Sequence, residues 1–312
     1  QMATLEANGV RIFGPGATVA QDLEPEYIAV AGDDSTATIV MQENNAVATL
    51  DLSTNTITGI HALGFKDYST MSFDLSDRDD GVNFQNWENV KGMYQPDAMT
   101  SFVAADGATY YVSANEGDAR DYDGYSEEER AEDLNLDTTS FPNGVSDADL
   151  GRLKTTTADD CGDTDGDGDV DFICSYGARS FSIWEYDSTG DFVQVWDSGD
   201  EVEQLMAVNG QWINGYTGSR NDDKGSEPEG VITGEFAGRI LAFVALERSG
   251  GVMIYDVTDP AQPFFEQYVY MHDHVSPESM VFVSGADSPN GAPMLIVANE
   301  VSGTVAILQP LI

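Results

Sequence analysis

The sequence is short of positive charge. Lysine and arginine together number 13 against 55 aspartates and glutamates, and the formal net charge is −42. A surface this acidic repels a phosphate backbone and anionic lipid headgroups, so nucleic acid and membrane insertion are excluded as modes of action. Like charge at this density opposes compaction unless cations screen or bind it, and a salty or calcium-rich medium is expected. Long apolar runs are missing too. None approaches the roughly 20 residues needed to cross a bilayer. No leader peptide is recognisable, and from its abrupt start at Gln1 the chain is expected to be a processed or truncated product. Cysteine is limited to Cys161 and Cys174. The two bracket an acidic loop, which favours a local disulfide in an oxidising space. No Gly-x-Ser-x-Gly elbow, P-loop or dinucleotide fingerprint occurs.

Helical periodicity is also nearly absent. The exception is 126–134, where Ser126 and Glu129 have capping-box spacing and a short helix is expected. What the chain has is apolar residues, at 41%, enough for a packed core. They come in short runs rich in Val, Ile, Tyr and Phe, broken by Gly, Asn and Asp, which read as many short strands of an all-β fold.

A repeat narrows the fold. Four times a proline–acid pair precedes a strand, a turn, a second strand and another acid. The pairs are Pro25-Glu26 with Glu43, Pro96-Asp97 with Glu116, Pro228-Glu229 with Glu247, and Pro277-Glu278 with Glu300, with the acids 17 to 22 residues apart. A degenerate fifth copy runs through 171–176 and 181–186. Repeated antiparallel units of this size are blades of a β-propeller. A hairpin returns the chain to the face it left, so each acid pair is expected on one face, around one channel mouth. Residues 1–312 thus read as one propeller domain of about five blades in a ring expected to hold seven, missing its N-terminal blades, with an insertion over 118–160. Trp184, Trp196 and Trp212 are expected between blades.

Two constellations carry chemistry. Asp163, Asp165, Asp167, Asp169 and Asp171 alternate with small residues, and Gly168 stands at the sixth position. This is calcium-loop spacing, although Cys174 replaces the usual twelfth-position glutamate, so the 161–174 segment reads as a disulfide-clamped calcium loop rather than an EF-hand. The second is the acidic mouth. Its loops add Asp118, Asp121, Asp123, Asp222 and Asp223, and beside them stand Arg120, Arg179, Arg220, Lys224 and Arg248. Carboxylates hold hard cations and arginine forks hold phosphate. Glu116, Arg120, Glu229, Glu247, Arg248, Glu278 and Glu300 are therefore candidates for a metal-assisted phosphoester site. The bland alternative is that the arginines neutralise a crowded acidic face. His272-Asp273-His274 reads as a polar inter-blade loop before a metal site.

The motifs GVRIFGPG (9–16), LGFKD (63–67), GMYQPD (92–97), ANEGDARDYDG (114–124), RSFSIW (179–184), GSEPEG (225–230) and VANEVSG (297–303) occur in collinear order. On them the chain resembles the choice-of-anchor I family of bacterial surface proteins. The same domain resembles a surface glycoprotein of sea-urchin biomineralising cells. The resemblance implies a secreted or cell-surface propeller. Some family members carry an alkaline-phosphatase label, and EPEG (227–230) is similar to motifs of calcium-dependent phytase-like propellers. Two functions follow as expectations. One is a calcium-binding structural, adhesive or mineral-associated surface protein. The other is a metal-dependent phosphoesterase taking a phosphoester or another anionic ligand. In both, an upstream segment or a second chain is expected to complete the ring.

Overall fold

A computed structural model describes residues 2–79, 81–158, 161–209 and 218–310. Two short helices, α1 (Met2–Ala7) and α2 (Val19–Asp22), precede a four-stranded antiparallel meander of β1 (Tyr27–Val30), β2 (Thr36–Met41), β3 (Ala46–Asp51) and β4 (Thr56–Ala62). Val, Ile, Ala and Thr fill these strands, as a pleated surface prefers. Their turns use Asn45 and Asn55 at φ 48° and 53°, the left-handed conformation that asparagine tolerates.

Next come β5 (Phe65–Asp67) and β6 (Val90–Met93), then the hairpin β7 (Ala98–Val103) and β8 (Thr109–Asn115). The chain then leaves this hairpin. It forms the small ribbon β9 (Asp121–Tyr122) and β10 (Tyr125–Ser126), then β11 (Glu128–Arg130), β12 (Lys154–Thr156) and β13 (Ile173–Ser175). It returns as β14 (Ser180–Tyr186), which pairs with β8, and β15 (Phe192–Asp197). The second blade is therefore β7-β8-β14-β15, while β11, β12, β13, β6 and β5 make a separate five-stranded sheet in which β13 runs parallel to β6. The degenerate fifth copy is divided between these two sheets. After α3 (Glu201–Val208), β16 (Pro228–Phe236), β17 (Arg239–Leu246), β18 (Val252–Asp256) and β19 (Phe264–Val269) form the third blade. The last sheet is β20 (Pro277–Val283), β21 (Met294–Asn299) and β22 (Thr304–Leu308).

The inner strands neighbour one another in the order β1, β7, β16, β20; among the described residues no comparable packing joins β20 to β1. Each inner strand follows or includes one proline–acid pair, and apolar clusters fill the gaps between blades. Val40, Val47, Tyr111, Trp184 and Phe192 join the first blade to the second. Phe181, Val112, Val244 and Tyr255 join the second to the third, with Trp196 against them. Phe243, Val252, Leu295 and Val297 join the third to the last. Each fully buried large side chain here contributes about 1.5–3 kcal/mol. This radial stacking of antiparallel blades around inner strands is a β-propeller, and five sheets of three or more strands occur among the described residues. Trp184 and Trp196 lie between blades as expected; Trp212 lies outside the described residues.

The helix expected over 126–134 does not form. The segment is strand at both Ser126 and Glu128–Arg130, and only Ala131–Asp133 makes a 3-10 turn. Ser126 Oγ accepts from the Glu128 amide rather than capping a helix. The reason is tertiary. Glu127 is fully buried, where it takes Arg11 Nη2 at 2.6 Å, the Arg120 amide at 2.9 Å and the Thr156 hydroxyl. Pairing with β12 outweighs the weak preference of a nine-residue segment, which is too short to hold a helix alone.

Candidate functional site: a calcium-type loop and an acidic channel mouth

The 163–171 loop lies between β12 and β13, and the Cys161–Cys174 disulfide ties its ends, with Cα atoms 6.3 Å apart. Asp163 folds the loop around itself: Oδ1 accepts the Gly166 amide at 2.7 Å and Oδ2 the Gly168 amide at 3.0 Å. Gly166 and Gly168 have φ of 80° and 92°, which a side chain would resist. At the far end Asp171 Oδ2 accepts the Thr164 amide at 2.8 Å. These contacts bring one oxygen each of Asp163, Asp165 and Asp171 within 4.8 Å of one another. Asp167 and Asp169 stand outside that triad. Repulsion is evident: the charge of Asp167 pushes Asp165 up, and desolvation together with Asp167 pushes Asp169 up to about 6. A donor set of three carboxylates within one loop is all oxygen, which fits calcium.

The acids expected at the channel mouth fall into two groups. Glu116, Glu227 and Glu247 are buried, with one oxygen each within 4.8 Å of the others. This group carries its own cations. Lys224 Nζ lies 2.6 Å from Glu116 and 3.7 Å from Glu227. Arg220 reaches Glu227 through Nε and Nη2 at 2.9 and 2.7 Å, and Arg248 Nε reaches it at 3.1 Å. Burial pushes Glu227 up, but Lys224, Arg220 and Arg248 more than offset it and hold the carboxyl below its usual range. Gln42 Nε2 donates to Glu116 at 3.1 Å and Ser276 Oγ to Glu247 at 3.1 Å, so flanking blades brace the cluster.

The second group is Glu26, Glu43, Asp97, Glu229 and Glu278. Burial and then the charges of Glu116, Glu247, Asp97 and Glu278 push Glu229 up to about 9. Burial and Asp97 push Glu26 up to about 7; burial, and more weakly Glu26, push Glu43 up to about 7. Burial and Glu278 push Asp97 up to about 6. Acids from the proline–acid pairs of all four repeats thus sense one another.

The other residues singled out in the sequence lie elsewhere. Arg120 pairs with Asp22 at 3.0 Å and Glu24 at 2.7 Å and stacks on Phe13. Arg179 is fully buried against Glu203 at 3.0 Å. Of the four arginines expected at the mouth, Arg220 and Arg248 flank the acids, while Arg120 and Arg179 bind other segments. Glu300 is exposed and its amide donates to the Ser276 carbonyl. His272 is 88% exposed beside Asp273, and His274 bonds Thr304. Neither joins a metal-type cluster among the described residues. The residue that sequence reasoning passed over is Glu227, read only as part of a motif. Part of its signal was there: two of the scarce cations, Arg220 and Lys224, stand 7 and 3 residues before it in sequence.

Gigasin-3a of Magallana gigas is 26% identical to this chain, over 54% of this chain and 67% of that protein. The mesenchyme-specific cell surface glycoprotein of Strongylocentrotus purpuratus is 27% identical over 77% of this chain and 35% of its own length. Among solved structures, a functionally unknown protein from Desulfotomaculum acetoxidans is 10% identical with a TM-score of 0.41, over 91% of this chain and 55% of that one. The Myceliophteria thermophila Cps50 β-propeller domain is 8% identical with a TM-score of 0.29, over 92% of this chain and 84% of that one. Overlays at these scores carry no argument, and the propeller assignment stands on the blades themselves. The chain spans about a third of the sea-urchin protein. The sequence profile of the choice-of-anchor I domain matches residues 1–260, and the chain belongs to that family.

Proposed function

We propose that this chain is a calcium-binding propeller of the cell surface or extracellular medium, with a structural, adhesive or mineral-associated role. The observation that carries the reading is the convergence of Asp163, Asp165 and Asp171 in a loop clamped by Cys161–Cys174. Such a clamp persists outside the cytosol, and a cell-surface glycoprotein is among the relatives. Calorimetric titration of chelator-treated protein with calcium chloride tests it. The wild type is expected to bind calcium at this loop, and Asp163→Asn with Asp171→Asn to abolish that binding. Identical titrations of the two would defeat the reading.

The phosphoesterase alternative has less support. Arg120 and Arg179 are committed to structural carboxylates, and Arg220 and Arg248 are held by Glu227. Among the described residues, each arginine beside the acids already pairs with a carboxylate. We expect no calcium-dependent hydrolysis of a generic phosphomonoester, measured with calcium and after chelation. We also propose that further blades of the same polypeptide close the ring. Tyr27, Ile28 and Val30 on the first inner strand and Val281, Val301, Val305 and Ile307 on the last sheet are exposed apolar groups, of the kind an adjoining blade covers. A longer product of the same gene is expected to shield these positions from solvent in hydrogen exchange.

A further inference from the structure

The end of the 163–171 loop receives a distant segment of the chain. Val170, between Asp169 and Asp171, forms an isolated parallel bridge with Leu136 of the insertion. Both of its backbone polar groups cross that junction. Its amide donates to the Asn135 carbonyl at 2.8 Å, and its carbonyl accepts the Asp137 amide at 3.0 Å. The Asn135 side chain adds a third bond, Nδ2 donating to the Gly168 carbonyl at 3.0 Å.

The carboxylates of the loop and the insertion therefore grip the same few peptides. The Gly168 amide donates to Asp163 Oδ2 at 3.0 Å while the Gly168 carbonyl is held by Asn135. Asp171, a member of the convergent triad, directly follows Val170. The placing of Asp163 against Asp171 thus sets the ledge, 168–170, on which 135–137 rests. The insertion has little regular structure of its own here. Between Ala131–Asp133 and β12 no helix or strand occurs among the described residues. Leu134 and Leu136 are partly buried against the cluster that holds Trp87, Phe141 and Ile173, and Asn89 Nδ2 donates to the Ser140 carbonyl at 3.1 Å. Irregular segments on so few anchors open at lower free energy than central strands. Charge gives the opening a trigger. One oxygen each of Asp163, Asp165 and Asp171 lies within 4.8 Å of the others, and without a cation these carboxylates repel. Relaxing that repulsion moves Asp171, and Val170 beside it.

We propose that the loop is a calcium-operated clasp: the ion held by Asp163, Asp165 and Asp171 fastens the 134–141 segment of the insertion to the propeller, and its removal frees that segment while the blades stay folded. This rests on the calcium-binding function proposed above for the loop. Because the ion and the segment share peptides 168–170, the coupling is reciprocal, and docking of the segment strengthens calcium binding.

Hydrogen exchange of the intact chain tests it, in calcium chloride and in EDTA. The labelling pulse is set so that the amides of Val112 and Val244, on the central strands β8 and β17, stay protected in calcium. The amides of Asp137 and Phe141 are expected to exchange about 5- to 150-fold faster in EDTA, the usual span of a coupling between two sites. Asp163→Asn with Asp171→Asn should exchange in calcium as the wild type does in EDTA. In calorimetric titration with calcium chloride, Asn135→Ala should bind about two- to tenfold more weakly, the worth of one hydrogen bond. If calcium binds the wild type and not the loop variant, yet exchange at Asp137 and Phe141 does not change, the clasp is overturned and the loop function stands. If no calcium binds at the loop, both fall. Exchange of Val112 and Val244 within the same pulse in EDTA overturns the clasp too, since the whole fold would then be opening. So does an Asn135→Ala variant with wild-type calcium affinity.

Discussion

Arg179 shows at the scale of one residue how this acidic chain folds. It is fully buried, pairs with Glu203 at 3.0 Å, and donates to the carbonyls of Asp74 at 3.1 Å, Asn221 at 2.6 Å and Asp223 at 2.8 Å. One side chain thus ties the second blade to α3 and to two loops. Arg179→Ala strands Glu203 in the interior without its partner and is expected to cost about 3–5 kcal/mol, read as a lowered denaturant midpoint at unchanged slope. A loss below about 1 kcal/mol would show that the pair is not the anchor argued here. Arg11 plays the same part for Glu127. Sequence reading placed Arg179 at the mouth because it stands next to a blade strand. Nothing local shows that its guanidinium turns inward. Burial is a property of the folded whole, so the sorting of arginines into structural and mouth-facing sets was not legible. The spacing of the loop aspartates acts over nine consecutive residues, and of the five singled out Asp163, Asp165 and Asp171 converge while Asp167 and Asp169 do not.

At the scale of elements, strands and turns were legible and helices were not: the helix expected over 126–134 does not form, and α1, α2 and α3 were not anticipated. Short β-branched runs between Asn, Asp and Gly turns need no distant partner to be recognised. The 126–134 segment carries local helix signals, yet it becomes strand because Arg11, Arg120 and Thr156 demand Glu127 at their centre. The five-stranded sheet was also hidden, since its β13–β6 pairing joins segments some 80 residues apart in parallel. The calcium-type loop is the element most open to test. Its two cysteines are separated by 13 positions, and closing a loop of that size contributes about 3 kcal/mol on the chain-entropy account. Cys161→Ser with Cys174→Ser is expected to lower stability by an amount of that order and to weaken calcium binding at the loop. Thermal melts and calcium titration of the variant check both; a variant that binds calcium as tightly as the wild type would mean the clamp does not shape the loop.

For the whole molecule the governing fact is charge. The repeat that made the propeller legible also gathers acids from four blades at one mouth, a convergence that follows from blade geometry rather than from any one motif. Those carboxyls are held above their ordinary value near 4.5, Glu26 and Glu43 to about 7 and Glu229 to about 9, first by burial and then by neighbouring acids. A carboxyl raised on folding binds protons more readily in the folded state. Its contribution is therefore present below its unfolded pKa and lost as pH rises through its folded value. In EDTA, stability is expected to fall between about pH 4.5 and 9. A chelated protein whose stability rises steadily across this window would contradict the electrostatic picture.

The central claim is that calcium binds the native state and offsets repulsion among the loop carboxylates, and thermal unfolding with calcium against EDTA, in moderate salt at neutral pH, tests it most directly. Ligand at about 100 times its dissociation constant stabilises by about 2.7 kcal/mol per site, which for a chain of this size raises the midpoint by several degrees. The account predicts that rise, dependent on calcium concentration and reversed by chelation. Superimposable melts in calcium and in EDTA would contradict it.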